Sequence, residues 1–161
     1  MIPEIKKILL LTDLSEQSQK ALMYAANLAH AYDAKITILH AFEILSPNAA
    51  LIASLYMGYS MDEFKTKREI DIAQEIKNRI AQTCDEIGCK FPACQFSVDK
   101  ILVETGRAND IILQHVKEGD FDIIVMGNKR GIKEAILGGT ARKVMRVCRK
   151  PVVVVPLDRD A

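Results

Sequence analysis

The strongest constraint on this chain is a set of short segments that are apolar at consecutive positions rather than at every second one. "KKILLLT" at residues 6–12 and "FDIIVMG" at 121–127 show no alternation, and "PVVVVP" at 151–156 repeats the pattern between two prolines. A strand with one wet face alternates, whereas a strand covered on both faces reads as a continuous apolar run. Such runs predict parallel strands at the centre of a sheet. "AKITILHAF" at 34–42 reads as another strand, and "QFSVDKILVETG" at 95–106 as one nearer an edge, since it alternates.

Helical periods fill the gaps. From Ser18 to Ala31 the apolar positions Ala21, Leu22, Ala25, Leu28 and Ala29 recur at helical steps, with Asp13 and Ser15 placed as caps. Residues 62–87 predict a charged helix whose stripe is Ile70, Ala73, Ile76, Ile80, Cys84 and Ile87, with Gly88 as its C-cap. "ANDIILQHVKEG" predicts a helix stopped by Gly119, and a last helix runs from Thr140 to Arg149. Residues 44–60 are apolar but carry Pro47 and Gly58, which suits a loop or short-helix insert over a ligand or at a subunit contact.

Strands alternating with helices predict an α/β fold: a five-stranded open parallel sheet with helices on both faces and right-handed crossovers. The length of 161 residues fits a single domain, residues 1–161. Ligands in such folds bind beyond the carboxyl ends of the strands, where the strand order reverses.

Charge narrows the partners. Lys and Arg number 22 against 21 for Asp and Glu, so no global field recruits nucleic acid or a membrane surface, and any anion site is local. No apolar run reaches membrane-span length and the N-terminus lacks signal-peptide order, so the expectation is a cytoplasmic protein. Cys84, Cys89 and Cys94 lack the tight pairing of zinc ligands and read as free thiols, with Cys148 as apolar filling on the last helix. His30 and His115 read as solvent-facing helix residues; His40 ends a strand near the expected crevice.

Glycines at 127, 131, 138 and 139 follow the fourth strand, among Lys129, Arg130, Lys133, Arg142 and Lys143. Glycine lets backbone amides turn toward a phosphate, and a helix N-terminus behind them adds unpaired N–H groups. Placement alone is met equally by a phosphate loop and by a tight crossover with ordinary capping by Thr140. Neither Gly-x4-Gly-Lys-[Ser/Thr] nor Gly-x-Gly-x2-Gly after the first strand occurs, which removes the main warrant for P-loop hydrolases and dinucleotide dehydrogenases. Gly-x-Ser-x-Gly is also missing.

"KKILLLTDLSEQSQKAL", "ILHAF", "VETGRANDIILQHV" and "IIVMGNKRGIKEAILGGTARKVMRVCRKPVVVVP" together resemble the universal stress protein family over nearly the whole chain. The resemblance implies strand order 3-2-1-4-5 and, in ATP-binding members, Gly-x2-Gly-x9-Gly-[Ser/Thr] after strand four. It implies that Thr12 and Asp13 lie near the nucleoside, with Asp13 also at its Mg²⁺, and that Ala41, Met126 and Gly127 line the adenine pocket. Arg130, Gly131, Gly138, Gly139 and Thr140 would meet the phosphates. The loop departs from the pattern: Arg130 stands where the second glycine is expected, with glycine one step later, and Gly139-Thr140 begins twelve residues after Gly127 instead of thirteen.

The function these readings imply is an ATP-binding stress-response regulator or sensor, a homodimer through the C-terminal strand, with an unknown protein partner. Any ATP hydrolysis would be slow, since no residue is placed as a general base. A nucleotide-free dimeric interaction protein of the same family, and a nucleotide-dependent transferase, are the alternatives.

Overall fold

The spine of the molecule is a pair of strands, β1 (Lys7–Leu11) and β4 (Ile123–Lys129), joined in parallel with Leu9 opposite Ile124 and Leu11 opposite Met126. The computed structural model describes residues 1–15, 17–42, 48, 51–52, 55–56, 58, 60–90, 97–129 and 138–157. The remaining elements are α1 (Ser18–Tyr32), β2 (Lys35–Phe42), α2 (Met61–Lys90), β3 (Ser97–Thr105), α3 (Ala108–Glu118), α4 (Gly139–Val147) and β5 (Val152–Leu157). The strand order is β3-β2-β1-β4-β5 and every pairing is parallel, as the apolar runs and the resemblance led one to expect.

Alternate side chains of β1 enter two separate cores. Ile8 and Leu10 pack with Ala21, Leu22 and Ala25 of α1 and with Ile72 and Ile76 of α2. Leu9 and Leu11 pack with Val116 of α3 and with Ala141 and Val144 of α4. This two-sided burial is why β1 shows no alternation, and Leu→Ala at such a position removes about 2–5 kcal/mol.

Two helix expectations are corrected. On α2 the buried residues are Ile72, Ile76 and Thr83, while Ile70 is 63% exposed. Residues 72, 76 and 83 keep to one face at helical spacing, but 70 and 76 are six apart and point to different sides. The side chains of Cys84 and Ile87 lie outside the described residues. Gly88 does not end the helix, which continues to Lys90; glycine inside a helix costs only about 1 kcal/mol.

Asp122 closes the amino-terminal end of the sheet. Its Oδ2 accepts the N–H groups of Lys6 and Lys7, both at 2.8 Å, and its own N–H donates to Lys7 O. Nearby, the exposed Lys7 and Asp120 form an ion pair. Their hydrogen bond and mutual attraction raise the Lys7 pKa and lower that of Asp120.

β5 is an edge strand with a defined free side. The Ile124 N–H donates to Pro151 O with Ile124 opposite Val152, so the backbone groups of residues 151, 153 and 155 face β4. Those of 152, 154 and 156 face outward. Pro156 is therefore tolerated inside the strand, since the N–H it lacks would point away from the sheet.

Candidate functional site

β1 connects to its neighbour β2 through α1 on one face of the sheet, and β4 connects to β5 through α4 on the other. The chain thus leaves the carboxyl ends of β1 and β4 in opposite directions, and a crevice opens between them. Thr12 and Asp13 stand on one lip, and Met126, Gly127, Gly138, Gly139 and Thr140 on the other. Arg130, Gly131 and Lys133 lie outside the described residues.

The first lip is braced at its carbonyls. Thr12 N–H donates to Leu39 O at 3.1 Å, and Thr12 O lies 2.8 Å from Nδ1 of His40. A carbonyl only accepts, so Nδ1 carries the proton. His40 is 8% exposed and its ring stacks on Phe42, with centroids 6.1 Å apart. Asp13 Oδ1 accepts the N–H of Ser15 at 2.9 Å and its hydroxyl at 2.6 Å, an Asx turn. Asp13 precedes the start of α1, at Ser18, by five residues. Its carboxylate closes on the residue two positions on, and the N–H of Ser18, at the helix start, is met by Ser15 Oγ at 3.2 Å.

Between them Leu14 has φ of 63°, a left-handed conformation unfavourable for a side chain of this size. Its N–H bonds Thr12 Oγ1, and its side chain packs against the α1–α2 core. From α2, Arg79 Nη1 donates to Ser15 O at 2.8 Å and Nη2 to Glu75 at 3.0 Å. A cavity of about 20 Å³ lies beneath this lip, lined by Thr12, Ser18, Leu22, Ile38 and Arg79 among others. It has room for about one water and is not a nucleotide site.

The second lip has a different construction. Met126 is buried in the α3–α4 core. Gly127 is glycine because of packing: a Cβ there would stand 2.4 Å from Leu157 Cδ1. Asn128, 6% exposed, accepts the Gly138 N–H on Oδ1 at 2.7 Å and so joins the end of β4 to the start of α4. Gly138 is the N-cap of α4 and has no side-chain cap. Thr140 does not cap the helix either; it lies within the first turn and its hydroxyl donates to Asn109 Oδ1 of α3 at 3.2 Å. The Cβ position of Gly139 meets no described atom within 4 Å. α4 ends at Val147, so Cys148 sits just past the helix rather than on it, with its N–H on Val144 O at 2.7 Å.

Ala41, half-buried on β2, lies opposite Glu104 of β3. Glu104 accepts a hydrogen bond from His115 Nε2 at 2.7 Å, so His115 faces the sheet and not solvent; His30 is exposed as expected. Arg107 is exposed at the N-cap of α3, and Arg142 and Lys143 are exposed on α4.

Among the described residues no group of three or more His, Cys, Asp or Glu side chains is placed to hold a metal ion. Mg²⁺ commonly binds through one or two carboxylates plus substrate phosphates. Asp13 is a single carboxylate, with Oδ1 already accepting from Ser15. Also among the described residues, no helix is long and apolar enough to cross a membrane.

Three residues that shape the crevice escaped the sequence reading: Asn128, Asn109 and Arg79. Asn128 carried a signal, since a polar residue directly after a continuous apolar strand run needs a partner. Asn109 and Arg79 act across 31 and 64 residues of sequence, where no local pattern reports the contact.

With this geometry the chain has clear relatives. A universal stress protein of Methanocaldococcus jannaschii, MJ0577, is 29% identical over 160 residues, covering 93% of this chain and 94% of the relative. Its solved structure superposes with a TM-score of 0.63, over 96% of this chain and 98% of that one, at 25% identity. A universal stress protein solved in complex with cAMP has a TM-score of 0.62 at 22% identity, over 95% of this chain and 98% of that one. One from Archaeoglobus fulgidus in complex with dAMP has a TM-score of 0.52 at 17% identity, over 96% and 99%. Residues 4–156 match the sequence model of the universal stress protein family, and with β3-β2-β1-β4-β5 topology and the crevice between β1 and β4 already in view, the chain belongs to that family.

Proposed function

We propose that this chain is a stress-response regulator that binds an adenine nucleotide in the crevice between β1 and β4 and does not turn it over efficiently. The observation that carries this reading is the convergence of Asp13, Met126 and the glycine pair at the start of α4 on the point where the strand order reverses. Further support comes from structural neighbours in complex with cAMP and dAMP. ATP with Mg²⁺ is the ligand the sequence pattern implies, with Asp13 as the protein's carboxylate toward the metal. Thr12 and Ala41 contribute backbone groups near the nucleoside, and Gly138, Gly139 and Thr140 face its phosphates.

The acting unit in this reading is one domain, residues 1–161, in a cytoplasmic homodimer paired through β5. Occupancy of the crevice acts on the first lip, where Arg79 and His40 connect it to α2 and β2, and so alters the surface offered to a protein partner.

The test is native purification, denaturation and identification of released nucleotide by mass spectrometry, then calorimetric titration of the stripped protein. An adenine nucleotide that co-purifies, rebinds, and is lost in Asp13→Ala supports the reading. No nucleotide, no binding heat and an unchanged melting temperature overturn it in favour of a nucleotide-free dimer.

A further inference from the structure

Two donors at the start of α4 that the proposed function turns toward the phosphates are engaged by side chains of this protein. The Gly138 N–H donates to Asn128 Oδ1 at 2.7 Å, and the Thr140 hydroxyl donates to Asn109 Oδ1 at 3.2 Å. Both acceptors are carboxamide oxygens with two lone pairs, neutral counterparts of a phosphate oxygen. They come from different elements, Asn128 from the end of β4 and Asn109 from the first turn of α3.

Displacing them is unfavourable. Asn128 is 6% exposed, and a Cβ at position 138 would lie only 3.2 Å from its Oδ1, so the carboxamide fills the space beside the amide as well as bonding to it. A phosphate oxygen that takes the Gly138 N–H has to leave a buried acceptor without that partner. Gly139 differs from its neighbours: the Cβ position meets no described atom within 4 Å, and its N–H belongs to the first helical turn, where the helix carries partial positive charge.

Resting on the adenine-nucleotide reading above, we propose that Asn128 and Asn109 set the length of phosphate chain this site accepts, so that the protein selects a nucleoside monophosphate, linear or cyclic, over ATP. One phosphate is served at Gly139. A longer chain also requires the Gly138 N–H and the Thr140 hydroxyl, and meets a carboxamide oxygen at each.

The test is calorimetric titration of the stripped full-length protein with adenosine, AMP and ATP with Mg²⁺. In the wild type AMP binds about tenfold tighter than adenosine, the gain from one charge-assisted phosphate contact, and ATP binds no tighter than AMP. Asn128→Ala releases the Gly138 N–H and raises ATP affinity about tenfold while AMP changes little. Asn128→Asp keeps an acceptor on that N–H and adds a negative charge; it lowers ATP affinity about tenfold and leaves adenosine unchanged. Should Asn128→Ala fail to fold, Asn128→Asp and Asn109→Ala carry the comparison, the latter releasing the Thr140 hydroxyl and raising ATP affinity. ATP binding about tenfold tighter than AMP in the wild type overturns the inference and leaves the nucleotide reading intact. Absence of binding by all three ligands overturns both.

Discussion

Side chains from other elements brace the two lips of the crevice at groups of opposite polarity. On the lip after β1, carbonyls are held: Thr12 O by His40 and Ser15 O by Arg79. On the lip after β4, donors are held: the Gly138 N–H by Asn128 and the Thr140 hydroxyl by Asn109. The partners differ in strength too. A guanidinium and a buried imidazole hold the first lip; neutral carboxamides hold the second. Hydrogen bonds to charged groups contribute more than neutral ones, so the Arg79 guanidinium makes the first lip the more strongly braced of the two.

The largest effect expected from a substitution in this region concerns packing alone. Gly127→Ala places a methyl group 2.4 Å from Leu157 Cδ1 and destabilises by about 1–3 kcal/mol in urea denaturation. Leu157→Ala in the same chain removes the clash, so the double variant loses less than the two single losses combined. Purely additive losses would mean that the second lip needs glycine for another reason.

Next comes the bracing of the first lip. Arg79→Met removes a charge-assisted bond to Ser15 O and is expected to cost about 2 kcal/mol. His40→Phe keeps an aromatic ring beside Phe42 but deprives Thr12 O of its donor, at about 1–2 kcal/mol. Asn128→Ala, on the second lip, is expected to cost about 1 kcal/mol, in the range of a lost helix cap. Should Asn128→Ala cost more than Arg79→Met, the order of bracing of the two lips is reversed.

The smallest effect is expected far from both lips. Lys7 has a raised pKa and Asp120 a lowered one, so their pairing adds stability above the ordinary range of Asp and below that of Lys. That contribution fades as pH falls through the folded pKa of Asp120 or rises through that of Lys7. Both groups are exposed, and about 0.5 M salt is expected to erase the difference between wild type and Asp120→Asn in thermal melts. A difference that persisted in salt would make the amino-terminal end of the sheet a braced region as well.

The fold was legible because the two-sided burial of β1 and β4 leaves a trace at every position of the run. The helix faces were less so. Ile70 looked like a stripe residue by being apolar, but Ile72, two places on, has the phase that reaches the sheet. At the site, sequence named Asp13, Met126 and the α4 glycines as candidates, but not the side chains that pack and bond around them. Thr140 reads as a cap or a phosphate ligand, and the fold adds Asn109, from another helix, as a partner of its hydroxyl. Gly127 reads as a pocket glycine, and the fold adds Leu157 packed against it. Both partners are distant in sequence, and only the tertiary fold brings them together.

Pro156 has a consequence for how this molecule behaves in a crowded solution. The outward side of β5 offers N–H and C=O at Val152 and Val154, then only a carbonyl at 156. Among the described residues, no outward N–H donor of β5 follows Val154. Beside four consecutive valines, Pro156 thus interrupts the row of outward backbone donors, the kind of break by which sheet edges limit edge-to-edge growth.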